Sequence, residues 1–290
     1  MPPKTKDCFD REGSELVRQF ARRVTGTDST PEPAIGLLIE ALRKTAGLRG
    51  LSFSLEPFLK FRNIFTVNYV ERLEFDGMIQ PLGSSYESGF KMVVKRNCPS
   101  TRLRFTMAHE LCHTFFYEIV PELKFRIHEV DPCEERLCNL GAAELLMPSR
   151  ALKRRGKGLE KSLMSLEILA KSFAVSMEAM LLRLQSLGLW ESELSEWHAM
   201  SSGNFSLHRL IGGRRVEWEW SESHLLRDAW NSGKTLSGET YIEYRERGGA
   251  PNLRAVSYEL KRKGNAIIAL WSRTSNNKAG VRMPLFDEAK

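Results

Sequence analysis

The chain has 290 residues, 42% of them hydrophobic, enough to bury a full core and to build two or three domains. It contains no run of 18 apolar residues, its start (Met1-Pro2-Pro3-Lys4-Thr5-Lys6-Asp7) lacks an apolar signal core, and its five Cys sit at irregular spacing, so membrane insertion, secretion and a disulfide framework are not expected and a reduced, cytoplasmic setting is. The net charge of +7 permits attraction to nucleic acid or to an acidic partner and requires neither.

Taken in chain order, residues 1–10 are polar and read as disordered. Leu16, Val17, Phe20, Ala21 and Val24 recur at helical spacing over 11–24, and a second amphipathic helix covers 33–46, ended by Gly47. Residues 62–96 change to strand character. Phe65, Val67, Tyr69 and Leu73 alternate, as do Phe90, Met92 and Val94, with turns at Asp76-Gly77 and Gly83-Ser84-Ser85, which predicts a small, mostly antiparallel sheet. A helix over about 101–117, with Ser100 as its N-cap, is apolar on nearly every side and therefore buried. A loop over 118–132 leads to a second buried helix over 133–148, with small residues at Cys138, Gly141, Ala142 and Ala143, stopped by Pro148. Two short amphipathic helices over 162–190, joined at Val175-Ser176, resemble a helix-turn-helix. Residues 191–205 read as a helix end and linker. Residues 206–275 read as β-strands with a helix at 222–232, and the tail from Asn276 reads as mobile.

The first buried helix carries His109-Glu110-Leu111-Cys112-His113. Residues four apart share a helix face, so both imidazoles can address one metal ion, and Glu110, about 100° round the axis, can reach a water at that ion without binding the metal. Two His and a Glu buried in an apolar helix are costly unless something satisfies them, and a metal does. A catalytic zinc site takes three protein ligands and keeps one position open. The third is expected from the second buried helix, where the candidates are Glu134, Glu135 and Glu144. Glu135 shares a face with Asn139 and with the small residues and is favoured, whereas Glu134 is expected to be solvated and Glu144 to be a surface charge or a helix-end contact. Asn139 can then orient a ligating imidazole.

The run Arg104-Phe105-Thr106-Met107-Ala108-His109-Glu110-Leu111-Cys112-His113, followed by Glu135-Arg136-Leu137-Cys138-Asn139 and Ala142-Ala143-Glu144-Leu145-Leu146-Met147-Pro148, resembles the ImmA/IrrE metallopeptidases over roughly residues 89–190. The resemblance implies zinc on His109, His113 and Glu135, with Mn²⁺ or Fe²⁺ as other occupants, and Glu110 as general base. It implies an α+β chain made of a zincin-like (gluzincin-type) core over 1–150, a helix-turn-helix-like segment over 151–195, a GAF-like α/β domain over 205–275 and the tail 276–290. It further implies a regulatory zinc endopeptidase that cuts a helix-turn-helix transcriptional repressor and so induces a stress or DNA-damage response. The chain departs from the pattern at Cys112, where Gly is usual, and at Gly141, where a bulky residue is usual; the two read as a compensating swap at the contact between the helices.

An oxyanion donor is also needed, and His128, Tyr117 and Arg126 are the candidates. The rival reading is a DNA-binding or sensor protein, or one that sequesters a repressor, with a metal site that does no chemistry. Arg183 and Gln185 on the second helix of the 162–190 pair favour weak DNA binding, Glu178 opposes it, and a packing role is expected for that pair. The basic clusters Lys153-Arg154-Arg155 and Lys261-Arg262-Lys263 read as solvated turns.

Overall fold

The computed structural model describes residues 14–27, 30–48, 50–121, 131–212, 217–219, 224–245 and 251–273. The readings for residues 1–10, for the tail from Asn276, and for Arg126 and His128 lie outside these residues. The chain divides into two compact units, Met1–Lys157 with Glu167–Arg183, and Gly158–Leu166 with Leu184–Lys290.

In the first unit, α1 (Glu15–Thr25) and α2 (Pro31–Thr45) are the two expected amphipathic helices. Ser14 caps α1 by accepting from Val17 N–H at 3.2 Å, and Phe20 of α1 stacks on Phe116 with ring centroids 4.2 Å apart. A short helix α3 (Glu56–Phe61) precedes the strands β1 (Ile64–Val70), β2 (Gly77–Pro81) and β3 (Phe90–Lys95), whose order in the sheet is β1-β3-β2. β2 pairs with β3 antiparallel, but β1 pairs with β3 parallel, so the sheet expected to be mostly antiparallel is mixed. The cause is the path of the chain. It leaves β1 at one edge, reverses into β2 at the other, and must return between them in the direction of β1. Phe90, Met92 and Val94 of β3 are fully buried as their alternation predicts, whereas Phe65 is 64% exposed because a bulge between Ile64 and Thr66 breaks the alternation of β1.

Two long helices follow, α4 (Ser100–Ile119) and α5 (Pro132–Leu146). α4 starts at Ser100 itself, with Pro99 at the cap position and no side-chain cap, one residue earlier than expected. Cations close the C-terminal ends of both: Arg23 donates to Ile119 O at 2.7 Å and Arg43 to Leu145 O at 2.6 Å. Beneath α4, buried Arg62 donates to Thr114 Oγ1 at 2.9 Å and to Glu118 at 2.7 Å, and lies over the Phe115 ring at 3.9 Å. α4 and α5 meet at the small residues. A Cβ on Gly141 would stand 2.7 Å from Cys112 Sγ and 2.8 Å from Ile35 Cγ1, so the Cys112 side chain fills the space that a bulky residue at 141 would need. Cys112 is fully buried, and burial pushes its thiol well above the ordinary range. It acts here as a small apolar residue. Gly141→Leu is therefore expected to destabilise by about 1–3 kcal/mol through overpacking. Cys112→Gly should recover part of that loss, so that thermal unfolding of the single and double variants is non-additive with the double above the sum.

α6 (Ser149–Gly156) ends in Lys153, Arg154 and Arg155, all exposed. α7 (Leu163–Phe173) and α8 (Met177–Ser186) are joined by Ala174, at φ 54°, with Val175 and Ser176, and the Ser176 hydroxyl caps α8 by accepting from Ala179 N–H at 3.1 Å.

The second unit holds a six-stranded antiparallel sheet ordered β5-β4-β9-β8-β7-β6. The strands are β4 (Ser192–Ala199), β5 (Phe205–Ile211), β6 (Glu217–Glu219), β7 (Leu236–Arg245), β8 (Pro251–Lys263) and β9 (Ala266–Arg273). α9 (His224–Ser232) buries Leu226 and Ala229 against Ile242, Val256, Leu260, Ile267 and Trp271. Residues 191–205 are thus not a linker, because β4 lies inside the sheet. Lys261-Arg262-Lys263 does lead into a hairpin tip at Gly264-Asn265, but Arg262 lies over the Trp230 ring at 4.0 Å and donates to Trp230 O.

Candidate metal centre

The face of α4 that carries His109 and His113 meets the first turn of α5. Asp131 opens α5 by accepting from Cys133 and Glu134 N–H at 2.8 and 3.3 Å, and Pro132 follows at the first helical position. That start fixes the two carboxylates behind it. His109 Nε2 lies 3.1 Å from His113 Nε2 and 3.1 Å from Glu135 Oε2, and His113 Nε2 lies 3.3 Å from Glu135 Oε1. Tetrahedral ligands about 2.0–2.1 Å from a zinc ion stand about 3.3 Å apart, so the three groups already have the mutual spacing of a shared ion. Two imidazole nitrogens facing one another at this distance, with a carboxylate between them, need a cation or a shared proton. His109, His113 and Glu135 can therefore hold a metal ion.

The opposite ring nitrogens are also committed. His109 Nδ1 is 3.0 Å from Asn139 Oδ1, and His113 Nδ1 is 2.6 Å from Glu134 Oε1. With each Nδ1–H donated, each Nε2 lone pair points to the centre. Asn139 thus orients an imidazole as its i+4 spacing from Glu135 suggests. Glu134 is not solvated as expected, since its side chain is only 14% exposed. A signal for it was present: Glu134 precedes by four residues Cys138, one of the small residues at the helix contact. His113, Glu134 and Cys138 form a second group with metal-ligand spacing. It uses the far side of the same imidazole, where Glu134 already occupies Nδ1, and burial pushes the Cys138 thiol up to about 12. The first group is the better metal site.

Burial alone would lower the His113 pKa, but contacts with Cys138, Glu134 and Glu135 raise it well above the ordinary imidazole range. Hydrogen bonds to His109 and then His113 hold the Glu135 carboxylate far below its usual range.

Glu110 is 7% exposed and points under β2. Burial raises its pKa, opposed by His113 and His109, and the Ile79 backbone N–H hydrogen-bonds to it. Asp76 O accepts from Lys95 N–H and Leu82 N–H donates to Gly89 O, both at 2.9 Å, so the even-numbered residues of this stretch face β3. By the alternation of an antiparallel ladder, Gly77, Ile79 and Pro81 turn their backbone groups to the open edge of the sheet, beside Glu110. Gly77 is required there, because a Cβ would stand 2.5 Å from Thr106 Cγ2 and 3.1 Å from Glu110 Oε1.

Tyr117 is one turn beyond His113 on α4. Burial chiefly raises its phenol pKa, with Glu134, His113 and Glu110 as the nearby charges, and its ring lies 5.3 Å from that of Phe90. Glu144 makes the helix-end contact: it accepts from Ser149 N–H at 3.0 Å and pairs with Arg183, whose side chain is 8% exposed and also donates to Met147 O. Gln185 donates to Ser192 O at 2.5 Å and to Gly212 O at 3.2 Å. The two residues that favoured DNA binding are thus engaged in packing.

Residues 78–185 match the family profile described as the IrrE N-terminal-like domain of the M78 peptidases. A search of curated proteins finds no match. Among solved structures, a Mycobacterium tuberculosis transcriptional regulator aligns with 14% identity and a TM-score of 0.46, over 89% of this chain and 80% of that one.

Proposed function

We propose, from the match of residues 78–185 to the IrrE N-terminal-like domain profile, that the chain is a zinc-dependent regulatory endopeptidase acting on a helix-turn-helix transcriptional repressor in a stress or DNA-damage response. The observation that carries this reading is the convergence of His109, His113 and Glu135, with a buried carboxylate, Glu110, next to them and under an open strand edge. A divalent ion held by the three residues supplies Lewis-acid polarisation of the scissile carbonyl and a water acidified toward neutral pH. Glu110, whose basicity burial raises, accepts the proton of the attacking water and passes it to the leaving amine. Asn139 holds His109 in the tautomer that keeps Nε2 available. Tyr117 is the described candidate to donate to the oxyanion. The substrate, in extended form, adds as a strand to the open edge of β2, bonding the backbone of Gly77 and the carbonyl of Ile79, whose N–H is held by Glu110. Gly77→Ala is then expected to displace Glu110 or Thr106 and to lower kcat/KM by up to about 100-fold, the cost of roughly 1 Å of misplacement, while bound metal stays at the unmodified level.

The six-stranded unit is assigned a GAF-like role, ligand sensing or association, on its antiparallel sheet and the helix α9 packed against it. The second reading, a DNA-binding or sequestering regulator, draws on the net charge of +7 and on the exposed basic end of α6. Metal content and proteolysis of candidate repressors, measured on one preparation, separate the two. About one metal per chain with cleavage supports the peptidase. Bound metal with no cleavage of any repressor supports the second reading. No uptake of added zinc removes the metal centre altogether.

A further inference from the structure

We infer that Glu134 is the positioning residue that fixes His113 as a metal ligand and sets how tightly the centre holds its ion, an inference that rests on the metallopeptidase reading. Glu134 Oε1 lies 2.6 Å from His113 Nδ1, a charge-assisted distance, and the two side chains are 14% and 13% exposed. The contact is not fortuitous surface pairing. Asp131 fixes the first turn of α5 by capping the Glu134 N–H itself, and Cys138, one turn on, is fully buried and closes the same side of the ring against water. A carboxylate that accepts from Nδ1–H locks the tautomer with its lone pair on Nε2, the atom that faces His109 and Glu135, and it makes that nitrogen a stronger donor.

The two imidazoles are backed unequally. His109 has the neutral amide of Asn139 at 3.0 Å, and His113 has an anion at 2.6 Å. Glu134 therefore brings a second negative charge to a centre that has one carboxylate ligand, and it does so from the far side of His113, where it cannot take the place of Glu135. Its effect is on metal retention and on the orientation of His113, without contact to substrate.

The test is zinc affinity of the full chain, by competition with a chromophoric chelator, for the unmodified protein, Glu134→Gln and Glu134→Ala, together with the unfolding midpoint of each in excess chelator. Glu134→Ala is expected to weaken zinc binding about 10–100-fold. Glu134→Gln, which keeps an acceptor but no charge, should fall between the two, with the metal-free midpoints of the two variants alike. Zinc affinity of Glu134→Ala equal to that of the unmodified protein overturns the role. Equal losses in both variants with a lowered metal-free midpoint also overturn it, since they place the effect in the start of α5. If the unmodified chain binds no zinc, the metallopeptidase reading fails with it, a result seen before any Glu134 variant is examined.

Discussion

Glu135→Ala is expected to lower zinc affinity by more than the 10–100-fold or so that loss of an outer hydrogen-bond partner costs, and to abolish cleavage with it. The reason is in the spacing. Glu135 places one oxygen 3.1 Å from His109 Nε2 and the other 3.3 Å from His113 Nε2, so its removal leaves two imidazoles and no carboxylate to bind the ion directly. The side chain is 38% exposed, and the variant should fold, because water reaches the space it vacates. Glu144→Ala is the matching control from the same helix. It breaks the pair with Arg183 and the contact with Ser149, so it should cost stability and leave metal affinity within about twofold, the scatter usual for context-dependent contacts. Chelator competition reads the first effect and thermal unfolding the second. Metal affinity that survives Glu135→Ala and is lost in Glu144→Ala would reassign the third ligand.

The parts of this site that could be read from the sequence are those fixed by local helix geometry. His109 and His113 share a face because they are four apart, Glu110 turns away because it is one on, and Asn139 follows Glu135 at the same spacing, so each is placed by its own helix once that helix is known to be buried. The swap between Cys112 and Gly141 was visible only against the pattern of the family that the chain resembles, and helix geometry alone does not show it. Glu134 was only hinted at by its four-residue spacing from Cys138, because a carboxylate in a first helical turn is favoured by the helix dipole with no further partner. Only the crossing of α5 over α4 brings it behind His113. The parallel pairing of β1 with β3 also depends on the route between strands, and alternation does not record the route.

β4 was hidden for a different reason. Its sequence, Ser-Glu-Leu-Ser-Glu-Trp-His-Ala, is too polar to suggest an inner strand. Yet Ser192 and Ser195 are buried with their hydroxyls satisfied: Ser192 pairs with Ser272 at 2.8 Å, and Ser195 accepts from the indoles of Trp197 and Trp271 at 2.8 and 2.7 Å. Each buried hydroxyl has a partner, so burial carries little penalty, and hydrophobic patterning alone cannot distinguish such serines from those of a linker.

Glu110→Gln separates chemistry from binding in the proposed peptidase. The substitution keeps shape and an oxygen that can still accept from Ile79 N–H, but it removes the group that takes the proton. Cleavage should fall by about 10²–10⁴-fold, the usual contribution of a positioned acid–base group. The metal should stay, because Glu110 is not among the three groups that converge on the ion. Stability moves the other way from activity. Burial raises the Glu110 pKa in the folded protein, so at neutral pH the folded state bears the cost of an ionised buried carboxylate, a cost that is absent below the unfolded pKa and grows as pH rises through the folded one. A neutral amide removes it, and the metal-free variant should be no less stable than the unmodified chain at pH 7. A repressor that is bound intact by Glu110→Gln, with the cellular response lost, fits proteolysis. A response that persists with that variant fits sequestration, and cleavage that persists rules out Glu110 as the base.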